Sequence, residues 1–311
     1  MQAYDQVFKE IFEEIGKVVV GQKKVIEQIL VAILGDGNAL LEGYPGLAKT
    51  LSVKTLAKIM DLRFSRIQNT PDLMPSDITG TYVIEEKDGK RQFKFNPGPV
   101  FANIVLADEI NRATPKTQSA LLEAMQEKQV TVGTSTYKLE LPFFVLATQN
   151  PIEQEGTYPL PEAQADRFLL KIKADYPTFE EESEIINRFT SAVAEKKLRV
   201  VLTKDNIFEL QSLTKQVPVA KDLRDKILRL VTATRMQKDL IEYGASPRAS
   251  IALVLACKAR ALINGRNHVS AEDIKEMAYP VLRHRIILNF EAERKGMTPD
   301  DAITQLLQNV K

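Results

Sequence analysis

The sequence predicts an α/β domain on a mostly parallel sheet, followed by a smaller all-helical domain. Apolar runs without polar alternation, such as Ile104-Val105-Leu106-Ala107 and Phe143-Phe144-Val145-Leu146-Ala147, suit strands buried on both faces of a parallel sheet. Segments of helical spacing separate these runs, as strand–helix alternation requires. Beyond Tyr176-Pro177 the chain reads as helices only. Thr178 with Glu181 forms a capping box there, and Ser270 pairs with Asp273 in the same way. Ser246-Pro247 and Thr298-Pro299 are cap-plus-proline starts. The expected division is residues 1–177 for the α/β domain and 178–311 for the helical one.

In order, Val7, Phe8, Ile11, Phe12 and Ile15 give an amphipathic helix, and Val25 to Ile33 give a second that stops at Gly35. Asn38 to Glu42 reads as a strand, Leu51 to Met60 as a helix, and Leu62 to Ile67 as another strand. Tyr82-Val83-Ile84 and Phe93-Lys94-Phe95 flank Asp88-Gly89, which signals a hairpin insert over about 79–98. Thr114-Pro115 opens a helix with Thr as N-cap. A second hairpin insert is expected over about 129–142, turning through Gly133. Phe168 to Ile172 makes the last strand, so five strands outside the hairpins compose the sheet.

Between the first strand and its helix lies Gly43-Tyr44-Pro45-Gly46-Leu47-Ala48-Lys49-Thr50, the context a phosphate-binding loop requires. Backbone N–H groups and the helix N-terminus face an anion, Lys49 reaches the terminal phosphates, and Thr50 holds Mg²⁺. Ala48 stands where the usual pattern has glycine, and it fits there if it keeps ordinary helical angles. Asp108 and Glu109 end a buried strand, where ligands gather in open α/β sheets. The expected roles are Mg²⁺ ligation by Asp108 and polarisation of the attacking water by Glu109.

Composition excludes several classes. A net charge of +1, from 42 basic and 41 acidic residues, gives no global attraction to DNA or anionic membranes. Cys257 is the only cysteine, and it reads as a buried small apolar residue; with two separated histidines it cannot build a structural zinc site. Asp5, Lys9, Glu13 and Glu14 interrupt the N-terminal apolar pattern, so no signal peptide is read, and no apolar run is long enough to span a bilayer. The expectation is a soluble, cytoplasmic protein. Arg283-His284-Arg285 reads as a solvated helix face or interface.

Lys49-Thr50 with Asp108-Glu109 looks like the Walker A and Walker B pair of AAA+ ATPases. Gly43 to Thr50, Leu106 to Ala113, Leu146 to Pro151, Pro71 to Gly80 and Leu160 to Phe168 together resemble the MoxR family, in which an alanine at position 48 is normal. The resemblance implies a P-loop AAA+ core with a five-stranded sheet, a helical lid, ATP or ADP with Mg²⁺ as cofactors, and a homo-hexameric ring. It implies nucleotide contacts along the loop and into Leu51, an adenine cradle at Val20, Gly21 and Gln22, and a sensor 2 at Arg248. Asn150 resembles sensor 1, and the alternative for it is a turn residue before Pro151. Arg167 resembles an arginine finger acting on the neighbouring subunit, and Arg112 a further inter-subunit sensor.

The resemblance further implies remodelling or maturation of a protein client, commonly one with a von Willebrand factor A domain. The hairpins bear on the competing reading, a nucleic-acid motor related to MCM. Glu85, Glu86 and Asp88 balance Lys87, Lys90 and Arg91, and Gly133-Thr134-Ser135-Thr136 carries no charge. A DNA-tracking pore needs Lys or Arg at such tips, so the expected partner is a protein. A non-hydrolysing scaffold is the third reading, and Glu109, Asn150 and Arg167 together argue against it.

Overall fold

A computed structural model describes residues 2–87, 90–152, 156–190 and 196–310. Helices α1 (Gln2–Gly16) and α2 (Lys23–Leu34) open the chain, and Phe8, Ile11 and Ile15 form the buried side of α1. Strand β1 (Ala39–Gly43) turns into α3 (Lys49–Ile59), and β2 (Phe64–Gln68) follows. The short α4 (Pro75–Thr79) precedes the first hairpin, β3 (Gly80–Lys87) with β4 (Lys90–Pro97); its Asp88-Gly89 turn lies outside the described residues. Then come β5 (Ile104–Asp108), a 3-10 turn (Ile110–Arg112) and α5 (Pro115–Glu127). The second hairpin, β6 (Gln129–Val132) with β7 (Ser135–Lys138), leads to β8 (Phe144–Gln149). After α6 (Glu162–Ala165) and β9 (Leu170–Ala174) the helices begin with α7 (Phe179–Thr190), α8 (Lys204–Gln216) and α9 (Lys221–Met236).

The C-terminal region departs from the all-helical expectation at one place. Between α9 and α10 (Pro247–Ile263) lies β10 (Ile241–Tyr243), and after α11 (Ala271–Leu282) lies β11 (Ile287–Leu288). These strands pair antiparallel and bury Ile241 and Leu288, and α12 (Phe290–Arg294) and α13 (Pro299–Asn309) complete the chain. Strands this short, Ile241-Glu242-Tyr243 and Ile287-Leu288, carry no period-2 signal.

Capping follows the sequence closely. Thr178 and Glu181 exchange hydrogen bonds, and Ser246, Ser270 and Thr298 all cap their helices. Thr114 is the exception. It occupies the N-cap of α5 without a side-chain cap bond, its hydroxyl lying 3.2 Å from that of Thr117, which donates to the Leu73 carbonyl.

The main sheet has five strands in the order β2-β5-β8-β1-β9. β5 runs parallel to both neighbours, with Ile67 opposite Ala107 on one side and Ala147 on the other. Every residue of β5 is buried, which is why its sequence shows no polar alternation. This order brings the carboxyl ends of β5, β8 and β1 side by side.

The described residues group into two compact units: one from 41–160 and 175–204, the other from 2–40, 161–174 and 205–310. In the first unit the two hairpins hold each other. Phe95 stacks on Tyr137 with ring centroids 4.0 Å apart, and the Tyr82 and Tyr137 hydroxyls are 2.7 Å apart. In the second, α10 packs against α2, α9 and α11. Asp273, fully buried, is clamped there by Arg260 and Arg266. Cys257 is buried as expected, and burial pushes its thiol well above the usual range, which leaves it unreactive.

Arg283-His284-Arg285 is not a solvated face. Arg285 is buried, and burial together with Arg285 holds the His284 imidazole well below its usual pKa, so it is neutral. Three polar residues in a row gave no sign of burial because most of their partners, backbone carbonyls at 166–171 and the Asp166 and Asp300 carboxylates, are remote in sequence.

The first hairpin closes where Gly80 and Gly98 meet: a Cβ on Gly98 would overlap the Ile78 carbonyl and lie 2.5 Å from the Gly80 nitrogen. Gly98→Ala is therefore expected to destabilise the protein by about 2 kcal/mol or more, read as a melting temperature lowered by several degrees. An unchanged melting temperature would show that this crossing yields freely.

Candidate active site

The loop after β1 is shaped by its backbone. Gly46 has φ 83°, and Ala48, the residue before α3, has φ 53° and ψ 24°. The condition of ordinary helical angles at Ala48 is not met: it takes the left-handed conformation that a glycine would adopt without cost. A Cβ there costs on the order of 1 kcal/mol, strain of the kind found at functional sites. Leu47 is buried and anchors the loop, while Tyr44 stacks on Tyr176 with centroids 4.9 Å apart. The Lys49 ammonium donates to the Gly43 carbonyl at 2.7 Å, folding back over the loop, and Thr50 follows it in the first turn of α3. Backbone N–H groups of such a loop and helix start converge on an anion.

Asp108 ends β5, and Glu109 follows with φ 56°, a second left-handed non-glycine residue. The carboxylates are organised by residues the motif search passed over. Thr148, fully buried on β8, donates to Asp108 Oδ1 at 2.6 Å and accepts from the Glu109 N–H at 2.8 Å. One hydroxyl thus fixes the position of both acids. Arg66 on β2 donates to Asp108 Oδ2 from Nε at 3.1 Å and from Nη2 at 2.6 Å. Gln68, two residues on, donates to Glu109 Oε2 at 3.0 Å, and Arg112 Nη1 donates to the same oxygen at 3.0 Å. Arg112, expected as an inter-subunit sensor, is here a local partner of Glu109. The sequence does place Arg66 and Gln68 on alternate positions near the end of a strand, but only the sheet order sets that strand beside β5.

The structure brings part of the expected set together. With β8 between them, the ends of β1 and β5 are separated by two inter-strand steps, about 10 Å. That gap suits a phosphate chain held by Lys49 at one end and approached by the acids at the other. Asn150, just past β8, is buried and accepts from the Ile152 N–H at 3.3 Å, the turn role weighed above. Val20 to Gln22, Arg167 and Arg248 belong to the other compact unit. There Gly21 and Gln22 have φ 67° and 58°, so two left-handed residues precede α2. Arg167 is exposed after α6, and Arg248 in the first turn of α10 lies 3.5 Å from Asp166 Oδ2.

Residues 38–170 match the ATPase family associated with various cellular activities (AAA), and residues 233–306 match the AAA lid domain. The chain is 45% identical to Chaperone MoxR1 of Mycobacterium tuberculosis, covering 96% of this chain and 80% of that one. This chain belongs to the MoxR family of AAA+ ATPases. Protein MoxR of Methylorubrum extorquens is 30% identical, with 92% of this chain and 90% of that one covered. A crystal structure of a candidate ATPase from Cytophaga hutchinsonii superposes with a TM-score of 0.92 at 49% identity, covering 100% of this chain and 96% of that one. That superposition covers the whole chain, including the sheet that carries the loop and the acids.

Thr148→Val keeps the shape of the buried side chain and removes the hydroxyl. It leaves Asp108 Oδ1 and the Glu109 N–H without that partner, at a cost of about 1–3 kcal/mol. The expected result is a lower melting temperature together with slower ATP turnover; full turnover would show that the hydroxyl does not organise the acids.

Proposed function

We propose that this MoxR-family chain hydrolyses ATP to ADP and phosphate, with Mg²⁺, as a subunit of a homo-hexameric ring that remodels or matures a protein client. The observation carrying this reading is the acid pair, Asp108 held through its carboxylate and Glu109 through its backbone N–H by the buried Thr148 hydroxyl, across an inter-strand gap from the loop that carries Lys49.

In this reading the loop from Gly43 to Leu51 binds the phosphates, Lys49 offsets their charge, and Val20 to Gln22 cradle the adenine. The Thr50 hydroxyl and the Asp108 carboxylate are hard oxygen donors of the kind Mg²⁺ prefers. When bound, Mg²⁺ neutralises charge on the phosphates. Glu109 orients and polarises the attacking water, and Asn150 assists it. Glu109 Oε2 meets two donors, Gln68 and Arg112, so the residue is held in place until one of them lets go. Arg167 supplies positive charge to the neighbouring subunit's nucleotide, and Arg248 couples nucleotide state to the lid.

A protein client is favoured by the hairpin. Lys94 donates to Glu85 at 3.0 Å and Glu86 stands opposite Arg91, so two of its four bases face acids of the same hairpin. Its apolar pair Ile84 and Phe93, 63% and 77% exposed, offers surface to a polypeptide rather than to phosphates. A von Willebrand factor A domain partner is the client class proposed. Among the described residues no helix is long and apolar enough to cross a membrane, and a cytoplasmic site of action is proposed.

Three measurements test this function. Glu109→Gln is expected to keep ATP affinity within a few-fold while turnover falls by roughly 10²–10⁴. Lys49→Ala should lose nucleotide binding, and unchanged affinity would refute the phosphate-loop assignment. Mixing Arg167→Ala with Glu109→Gln subunits should restore turnover that neither has alone; no restoration would remove the trans role of Arg167.

A further inference from the structure

A cationic finger acts only if its backbone is held still, and the structure shows what holds Arg167. Arg285, with its side chain 2% exposed, directs its whole guanidinium at two chain segments. Nε donates to Asp166 Oδ1 at 2.8 Å, and Nη2 donates to the carbonyls of Asp166 at 3.1 Å and Phe168 at 2.6 Å. Nη1 donates to the carbonyls of Leu169 at 3.1 Å and Val281 at 2.5 Å. The residue between the two carbonyls that share Nη2 is Arg167, whose own N–H donates to the Gln164 carbonyl at 3.2 Å.

The flanking residues strengthen this mount. His284 Nε2 bonds the Phe168 carbonyl at 3.1 Å, and Arg283 Nη1 donates to that of Lys171 at 3.2 Å. Three consecutive side chains thus grip the segment leading from Arg167 into β9. The other Asp166 oxygen accepts from the Ser246 hydroxyl at 3.0 Å and faces Arg248 at 3.5 Å. Burying a cation so completely is costly, and apolar side chains of like volume would stabilise the fold at least as well. What the guanidinium adds is geometry: a planar fork satisfies five oxygens at fixed angles, which a point charge cannot do.

We infer that Arg285 is a positioning residue for Arg167, fixing with Asp166 the backbone on either side of it. The inference rests on the role proposed above for Arg167. Arg285→Lys keeps the charge and loses the fork. In the full chain its turnover number should fall about tenfold or more, because small displacements of a catalytic group are costly. Affinity for a fluorescent ATP analogue should stay within about threefold, the split expected of a group felt in the transition state. The double variant Arg167→Ala/Arg285→Lys should turn over no slower than Arg167→Ala alone, since the lysine harms only what the alanine has already removed.

Wild-type turnover in Arg285→Lys would overturn the inference, and so would effects that multiply in the double variant. Equal losses of nucleotide affinity and turnover would do the same, by marking a general defect of folding. If Arg285→Lys does not accumulate folded protein, Asp166→Asn replaces it in the same cycle. Undiminished turnover in Arg167→Ala would defeat the reading of Arg167 itself and the inference with it. A slow Arg167→Ala beside a fast Arg285→Lys defeats the inference alone.

Discussion

The parallel pairing of β5 with β8 is the constraint from which the chemistry follows. Its register sets Ala107 beside Ala147, so the next residues, Asp108 and Thr148, emerge together at the carboxyl edge. Both strands are buried up to that edge, and the hydroxyl and carboxylate meet where protein gives way to the site. A slip of one residue would send every side chain of one strand to the opposite face. Thr148 would then lose Asp108, and the Glu109 N–H would lose its acceptor. The apolar character of both strands therefore secures more than burial: it sets the register that assembles the acids.

Most of the fold was legible because parallel-sheet strands and capped helices carry local signals. Continuous apolar runs located β1, β5 and β8 to within a residue or two, and Ser270 with Asp273 marked the start of α11. The loop and the acid pair were legible for the same reason, since each is a short contiguous pattern next to a strand. Arg66, Gln68 and Thr148 were not. Each meets its carboxylate across about 40 residues of chain, through sheet order and register that no local pattern encodes. Ala48 misled in another way. Its side chain suggested helical angles, but loop closure decided its backbone, and the strain stays because the buried Leu47 beside it holds the loop down.

Arg283-His284-Arg285 shows the limit of reading charge as exposure. Two arginines around a histidine look solvated, and the Arg285 side chain is instead only 2% exposed. Nothing in the tripeptide announces this, because apart from the Val281 carbonyl its acceptors are carbonyls and a carboxylate at 166–171 and the Asp300 carboxylate, beyond any local window. Burial also keeps His284 neutral, so it grips Phe168 without adding a third charge to a crowded segment.

The ion pairs divide into fixed and movable by how far they are buried. Arg66 with Asp108, Arg112 with Glu109 and Arg248 with Asp166 all leave the arginine more than 40% exposed. Pairs so open to water contribute about 0–1 kcal/mol each, so a phosphate or a magnesium ion can replace one partner at little cost. Asp166 with Arg285 is different: the guanidinium is 2% exposed, and removing one partner of such a pair costs about 3–5 kcal/mol. In the function proposed above nucleotide state drives motion, and such a device needs both kinds. Weak contacts must let Glu109 and Arg248 change partners, while a strong one keeps the base of Arg167 from moving with them. Asp166 belongs to both classes at once, with one oxygen on the buried arginine and the other facing the exposed one. Arg248 thus faces the same carboxylate that Arg285 holds beside Arg167, so in that reading a change at Arg248 is felt by the residue next to the finger without any contact between the two arginines.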